Sequence, residues 1–316
     1  MAWYKRYRYD TILNHESIIN RNDYQYVLHR INYYNKISQP FEITDTAIRK
    51  SQFKLKSTIN SFSPHRHIKV NSTYFFDSVS LLDYFSTDIY FDYVFGDVTT
   101  VPPSPAFVKS RPISGNNQNS VVLKLDALRH FNFIKDETNF TEKISCALFR
   151  GPCYQPHRQR FVEKCHALPQ TNIGDIRKCV RGEKSYKSPM SLQEHLRYKY
   201  IISVEGNDVA TNLKWIMSSN SLCFMTKPKY ETWFMEGSLI PDHHYVLLKD
   251  DYSDLNEKIA YYDQHVEEAL AIIDNAHDWV DQFRDKSREL LIGLLVMIKY
   301  FELSGQIACT YNRTVE

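Results

Sequence analysis

The clearest pattern of apolar and polar positions lies between residues 199 and 225, Lys-Tyr-Ile-Ile-Ser-Val-Glu-Gly-Asn-Asp-Val-Ala-Thr-Asn-Leu-Lys-Trp-Ile-Met-Ser-Ser-Asn-Ser-Leu-Cys-Phe-Met. It predicts a strand, a turn, a helix and a second strand in close order. Tyr200 to Val204 reads as a buried strand, Gly206 and Asn207 permit a tight turn, and Asp208 is placed to cap a helix from Val209 to about Ser218. Ser221 to Met225 then opens the next strand. Such a helix start faces the carboxyl ends of the strands, where α/β sheets bind nucleotides.

The same alternation extends in both directions. Ile144 to Phe149 predicts a strand ending in Arg150-Gly151, and Gln159 to Ala167 is helical in period. Tyr245 to Lys249 predicts a further strand, followed by a helix with Ser253 as its cap and Glu257 in the reciprocal position. Val266–Ala276 and Trp279–Leu303 are helical in period and close the chain. Before residue 144 the pattern is looser. Runs such as Tyr74-Phe-Phe and Tyr90-Phe-Asp-Tyr-Val-Phe suggest strands with long polar connections. Val101-Pro-Pro-Ser-Pro-Ala breaks the chain before short strands at Ala106–Arg111 and Val121–Leu125.

A length of 316 residues exceeds the usual single domain, so two domains with a ligand cleft are expected. A formal net charge of +2 gives no basic bias toward nucleic acid, although 22 Tyr and 18 Phe offer stacking surfaces. The first residues are cationic but are followed by no apolar run, unlike a secretory signal, so a cytoplasmic location is expected. Leu290–Ile298 is too short to cross a bilayer. The six cysteines have no CxxC pairing, which reads as free thiols. The pairs His65/His67 and His243/His244 lack the third ligand that a metal site needs, so no metal is expected.

Several residues are chemical candidates. Arg150 and Arg158 flank a strand end and a helix start, where guanidinium forks suit a diphosphate; Arg160 reads as a surface residue. Asp97 follows an apolar run and Gly96 and has no lysine close in sequence, a position for either a general base or a turn residue. Lys109 and Arg111 alternate onto one side of a short strand and suit an anionic acceptor, or else form a solvated face. Tyr230, Glu231, Glu236 and Tyr245 follow or open strands, where a carboxylate accepts both hydroxyls of a ribose or is a surface acid.

Together, Phe149-Arg-Gly, Tyr198–Asn207, Leu213-Lys-Trp-Ile, Ser221 and His244–Leu255 resemble glycosyltransferase family 90, which includes bacterial lipopolysaccharide core glycosyltransferases and the Rumi-type protein O-glucosyltransferases. Phe107–Ile113 and Asn116–Ser120 fit the bacterial branch. The resemblance implies a GT-B fold of two Rossmann-like domains: residues 1–143 binding acceptor, 144–280 binding a nucleotide sugar, and 281–316 a C-terminal helix packing back across both. It implies an inverting, metal-independent hexose transfer from UDP-glucose or UDP-galactose to a lipopolysaccharide core or related glycan, peripheral to the inner membrane on its cytoplasmic face. Asp97 falls at the family's base position. Arg150, Gly151, Arg158, Gly206, Asn207, Thr211, Asn212 and Lys214 fall at the donor diphosphate, Tyr230, Glu231, Glu236 and Tyr245 near ribose and uracil, and Lys109 and Arg111 near the acceptor. Asn212 stands where the eukaryotic members carry an Arg. The alternative is a non-catalytic glycan-binding or scaffold protein on the same fold.

Overall fold

The computed structural model of the chain describes residues 21–55 and 72–307. His65, His67 and Cys309 lie outside them. The described residues fall into two compact units, one of residues up to 128 and from 285 onward, the other of residues 129–284.

The first unit contains helices α1 (Arg21–Tyr34) and α2 (Ser72–Leu82). Strands β1 (Ile48–Arg49) and β2 (Tyr90–Phe91) pair antiparallel. A three-stranded parallel sheet runs in the order β3 (Tyr93–Val94), β4 (Ala106–Val108), β5 (Ser120–Val122). The aromatic run at Tyr74, expected as a strand, belongs instead to α2. Tyr74, Ser78, Leu81 and Leu82 are buried at helical spacing while Phe76 remains 58% exposed, so the 3.6-residue period overrides the β preference of the aromatic residues. The C-terminal helix, Lys286–Leu303, packs in this unit and is capped by the Asp285 carboxylate, which accepts from the Ser287 and Arg288 amides. It crosses α2 at Gly293, where an added Cβ would come within 3.0 Å of Leu81. Its tie to α1 is a buried ion pair: Arg30 donates to Glu289 at 2.7 Å, and Lys124 reaches the other carboxylate oxygen at 3.3 Å.

The second unit is an α/β domain on a five-stranded sheet, parallel throughout, in the order β10 (Val246–Leu247), β9 (Leu222–Met225), β8 (Tyr198–Ser203), β6 (Ile144–Gly151), β7 (Thr171–Asp175). Helices α3 (Pro156–Cys165), α4 (Leu213–Met217), α5 (Leu255–Gln264) and α6 (Val266–Asp281) accompany it. In order of appearance the strands lie 2-1-3-4-5, so the winding reverses between β6 and β8; the crevice beyond their carboxyl ends is the topological switch point. Residues 129–143 pack with this unit: Phe140 joins its core, and Lys143 bonds Asp136 at 2.6 Å.

Two expected helix starts are corrected. The helix predicted from Val209 begins at Leu213 and spans five residues, with Asn212 at its N-cap. The Gly206 amide bonds the Asp208 carbonyl at 3.1 Å, which closes residues 206–208 into a turn of their own. The cap of α5 is Asp254 rather than Ser253, and it gives no side-chain cap because its carboxylate accepts from the Lys249 amide at 3.1 Å.

Removing one partner of the buried pair tests how firmly the C-terminal helix is held. Glu289→Ala should lower unfolding stability by about 3–5 kcal/mol, since it strands the Arg30 charge, and Arg30→Met/Glu289→Leu should cost much less. Urea denaturation of both variants measures the difference. Equal losses would show that packing, not charge, joins the helices.

Candidate functional site

A cavity of about 640 Å³ opens at the carboxyl edge of the five-stranded sheet, within the roughly 300–1,000 Å³ range of small-molecule sites. The segments that follow four of the five strands, all but edge strand β7, supply its wall. The α3 helix after β6 contributes His157, Arg160, Phe161 and Lys164. Val204 to Asn207 follow β8, Thr226, Lys229 and Tyr230 follow β9, and Asp250 to Tyr252 follow β10. Cations, carboxylates and rings therefore line one recess at the switch point.

Its rim is fixed by carbonyl bonds. Arg158 donates from Nε to the Glu205 carbonyl at 2.8 Å, from Nη2 to the Val204 carbonyl at 2.7 Å and from Nη1 to the Pro152 carbonyl at 3.3 Å. One guanidinium thus clamps the segments leaving β6 and β8. His157 adds a second bond to the Glu205 carbonyl, from Nε2 at 2.8 Å. Gln155 donates across the same gap to the Asn207 side chain at 3.1 Å. Gly206 lies against the Arg158 guanidinium: a Cβ there would sit 3.7 Å from Arg158 Nη2, an ordinary contact. The Glu205 carboxylate accepts from the amides of Lys229 at 2.9 Å and Tyr230 at 3.4 Å, joining the loops after β8 and β9. Burial raises its pKa, opposed by those two amides. Tyr252 lies against Phe161 with ring centroids 4.5 Å apart, and its φ of 58° costs an L-residue about 1–2 kcal/mol. The turn is closed by its amide bond to the Lys249 carbonyl at 2.8 Å. Burial pushes the Tyr252 hydroxyl up to about 12, so it is a neutral donor at working pH.

Among the expected donor residues, Gly206, Asn207 and Tyr230 line this cavity, and Arg158 builds its rim. The others are placed elsewhere. Arg150 spends its guanidinium on the Phe149 carbonyl at 2.9 Å and the Asn172 side chain at 2.5 Å, and Gly151 is buried at the end of β6. Thr211 is half-buried, and Asn212 accepts from the Ser203 hydroxyl at 3.2 Å. Lys214 is fully buried and bonds Glu236 at 2.5 Å, and the same carboxylate takes the Thr232 amide at 2.6 Å. A lysine and an acid expected to meet ligand thus form a core ion pair. Glu231 is 2% exposed. Tyr245 is fully buried, and its hydroxyl has no hydrogen-bond partner among the described residues. His157, Lys164, Glu205, Thr226, Lys229 and Tyr252 were not anticipated; the signal that marks them is position, just past a predicted strand or on the face of the following helix. Arg160, expected as a surface residue, is exposed at the cavity wall.

In the first unit, Asp97 does have a lysine to neutralise it, contrary to the sequence reading. Lys109 donates to its Oδ1 at 2.7 Å, with the lysine side chain 1% exposed and the aspartate 30%. Adjacent parallel strands bring the two together, since Val94 pairs with Val108. Gly96, at φ 108°, makes the bend that only glycine adopts readily, and the Val98 amide donates to Ser110 Oγ at 3.0 Å. Arg111 does not share a solvated or ligand-facing side with Lys109. It is fully buried and donates to the carbonyls of Tyr33 at 2.6 Å and Ser120 at 3.0 Å, so it is a tie between α1 and β5.

The five described cysteines are free thiols. No group of three or more His, Cys, Asp or Glu suited to a metal occurs among the described residues. His244 is occupied by the Ile240 amide at 2.9 Å, and burial pushes it down to about 4. No helix among the described residues is long and apolar enough to cross a membrane.

The recess thus gathers cations, rings and three carboxylates, Glu205, Asp250 and Asp251, at the switch point of the sheet, the place where α/β sheets bind nucleotides. The family model for glycosyl transferase family 90 matches residues 103–287, a span that includes every cavity residue. An O-glucosyltransferase, LpsA, of Dichelobacter nodosus is 46% identical over 274 residues, which is 87% of this chain and 82% of that protein. The human protein O-glucosyltransferase 3 is 29% identical over 140 residues, 42% of this chain and 27% of its own length. The chain belongs to glycosyl transferase family 90.

The raised Glu205 carboxyl makes a pH prediction. As pH rises, the unfolded chain ionises first, at about 4.3, so stability falls between that value and the raised folded one and the deficit persists above it. Glu205→Gln keeps an oxygen for the Lys229 amide and should therefore melt higher than the parent at pH 7 but equally below about pH 4. Thermal scans at both pH values decide it; a variant that melts lower at pH 7 would contradict the assignment.

Proposed function

We propose that this glycosyltransferase moves a hexose from a UDP-sugar, UDP-glucose or UDP-galactose, to a lipopolysaccharide core or related glycan with inversion and without a metal, acting as a peripheral protein on the cytoplasmic side of the inner membrane. The observation that carries the reading is the cavity at the switch point of the parallel sheet, where α/β domains hold nucleotides. The work divides as in a GT-B enzyme, with donor held by the second unit and acceptor by the first. The bacterial O-glucosyltransferase relative, alike over most of both chains, supports glucose as the first sugar to test.

In this scheme the rings of Tyr230 and Tyr252 flank the nucleoside, and Glu205 accepts from ribose hydroxyls in place of the sequestered Glu231 and Glu236. Arg160 and Lys229 offset diphosphate charge without an ion, while Lys164 is paired with Asp251 at 2.9 Å. Arg158 uses three of its five N–H groups on carbonyls and has two left for an oxyanion at the Gly206 turn. Asp97 takes the proton of the acceptor hydroxyl as that oxygen attacks the anomeric carbon. The bond from that carbon to the β-phosphate oxygen breaks, and UDP departs with the electron pair. Lys109 fixes one oxygen of Asp97 and so orients the base.

The reading is tested by UDP release from a panel of UDP-sugars in excess chelator, with and without a lipooligosaccharide extract. Acceptor-dependent release from one sugar is expected; neither release nor UDP binding would point to a non-catalytic glycan-binding protein. Asp97→Asn should lower turnover by at least about 10²-fold while UDP affinity stays within about twofold, because a base acts on the transition state rather than on donor binding. Affinity lost together with turnover would remove Asp97 from that role.

A further inference from the structure

The loop leaving edge strand β7 carries an excess of positive charge. Residues 177–187 hold Arg177, Lys178, Arg181, Lys184 and Lys187 against the single carboxylate of Glu183, in a chain whose formal net charge is only +2. Arg177 is neutralised by Asp175, to which its Nε donates at 2.7 Å. The other four are exposed and make no ion pair with a described carboxylate.

A charge run on a mobile loop is usually a solvated face, but this one is pinned. The Asp175 amide donates to the Ser185 carbonyl at 2.9 Å and the Lys187 amide to the Asp175 carbonyl at 3.0 Å, so residues 185–187 lie back along the end of β7. The stem of Lys187 crosses Gly174 so closely that an added Cβ would lie 2.2 Å from its Cγ. Only glycine leaves room for that lysine. Arg181 sits over the Tyr186 ring at 5.8 Å. Arg177 sits over the ring of Tyr154 at 5.7 Å, and Tyr154 is 68% exposed. Tyr154 follows β6 and the loop follows β7, so both lie at the carboxyl edge of the sheet, the edge where the cavity opens.

We propose that this loop docks the protein on an anionic phospholipid bilayer, with Lys178, Arg181, Lys184 and Lys187 against headgroup phosphates and Tyr154 at headgroup level. Cations clustered on one loop gain from a negatively charged membrane surface additively, and an exposed amphipathic ring suits the interface. The inference rests on the peripheral attachment in the proposed function but not on its transfer chemistry. It places the sheet edge that carries the cavity toward the membrane surface.

The test is co-sedimentation of the full chain, without donor or acceptor, on phosphatidylglycerol–phosphatidylcholine vesicles and on pure phosphatidylcholine. Binding to the anionic vesicles alone is expected, abolished in about 0.5 M salt. Lys178→Glu/Lys184→Glu should weaken it by at least roughly tenfold, and the matched Lys135→Glu/Lys286→Glu by less than about twofold. Should the first variant misfold, Lys178→Gln/Lys184→Gln serves in its place. Equal binding to neutral vesicles, equal losses in the two double variants, or equally tight binding to a single-stranded oligonucleotide would each overturn the proposal. So would loss of turnover on a water-soluble acceptor fragment with vesicle binding intact, which would make the loop an acceptor contact. Vesicle binding as expected with no turnover by the parent protein would instead fault the transfer reading and support the docking face.

Discussion

The organisation of the second unit depends on one guanidinium. In a parallel sheet wound 2-1-3-4-5, the connections on either side of the switch point leave in opposite directions, and the strand ends there expose carbonyls that the ladder does not use. Arg158 satisfies three of them, at Pro152, Val204 and Glu205, from the first turns of a helix that Pro156 starts. The segments leaving β6 and β8 are thereby tied to one side chain. Burial lowers the Arg158 pKa but leaves the group charged, so the clamp also places a cation beneath the Gly206 turn. In the proposed scheme the same side chain serves structure and anion binding, so Arg158→Ala would remove both together.

Elsewhere the charged groups divide by burial. Three buried pairs are structural: Arg30 with Glu289, Lys143 with Asp136, and Lys214 with Glu236. Left without partners, such groups would be costly, and pairing them fixes helix and loop positions more than it adds stability. The charged groups that line the cavity remain half-buried or exposed, three cations beside three carboxylates. The Lys109–Asp97 pair lies between these cases. Its lysine is buried and its carboxylate is partly open, so the acid is held in place and still accessible to solvent.

Much of the second unit was legible in the sequence, because four of the five parallel strands are short apolar runs followed by a polar turn; β7, Thr-Asn-Ile-Gly-Asp, has no such run and was not anticipated. The runs at Ile144, Tyr200, Ser221 and Tyr245 each mark a strand within a few residues. Local closure was not legible: nothing in Gly206-Asn-Asp208 announces that its own amide and carbonyl will bond and delay the helix to Leu213. Burial of charge was equally hidden. Lys214 has the spacing of a residue near a phosphate turn, but its contact with Glu236 spans 22 positions. The pairing of Lys109 with Asp97 follows from a strand register, Val94 beside Val108, that no sequence period encodes. Of the site, the Gly206 turn, Asn207 and Tyr230 were readable; the wall residues Glu205, Lys229 and Tyr252 depend on which loops a sheet edge gathers.

The central claim is that the recess beyond β8, β9 and β10 receives the nucleotide. Hydrogen–deuterium exchange of the protein with and without UDP tests it without requiring an acceptor or turnover. UDP should slow exchange in the segments 204–207, 226–230 and 250–252 and leave 120–122 unchanged. Protection absent from those three segments while UDP binds, or confined to the first unit, would contradict the account.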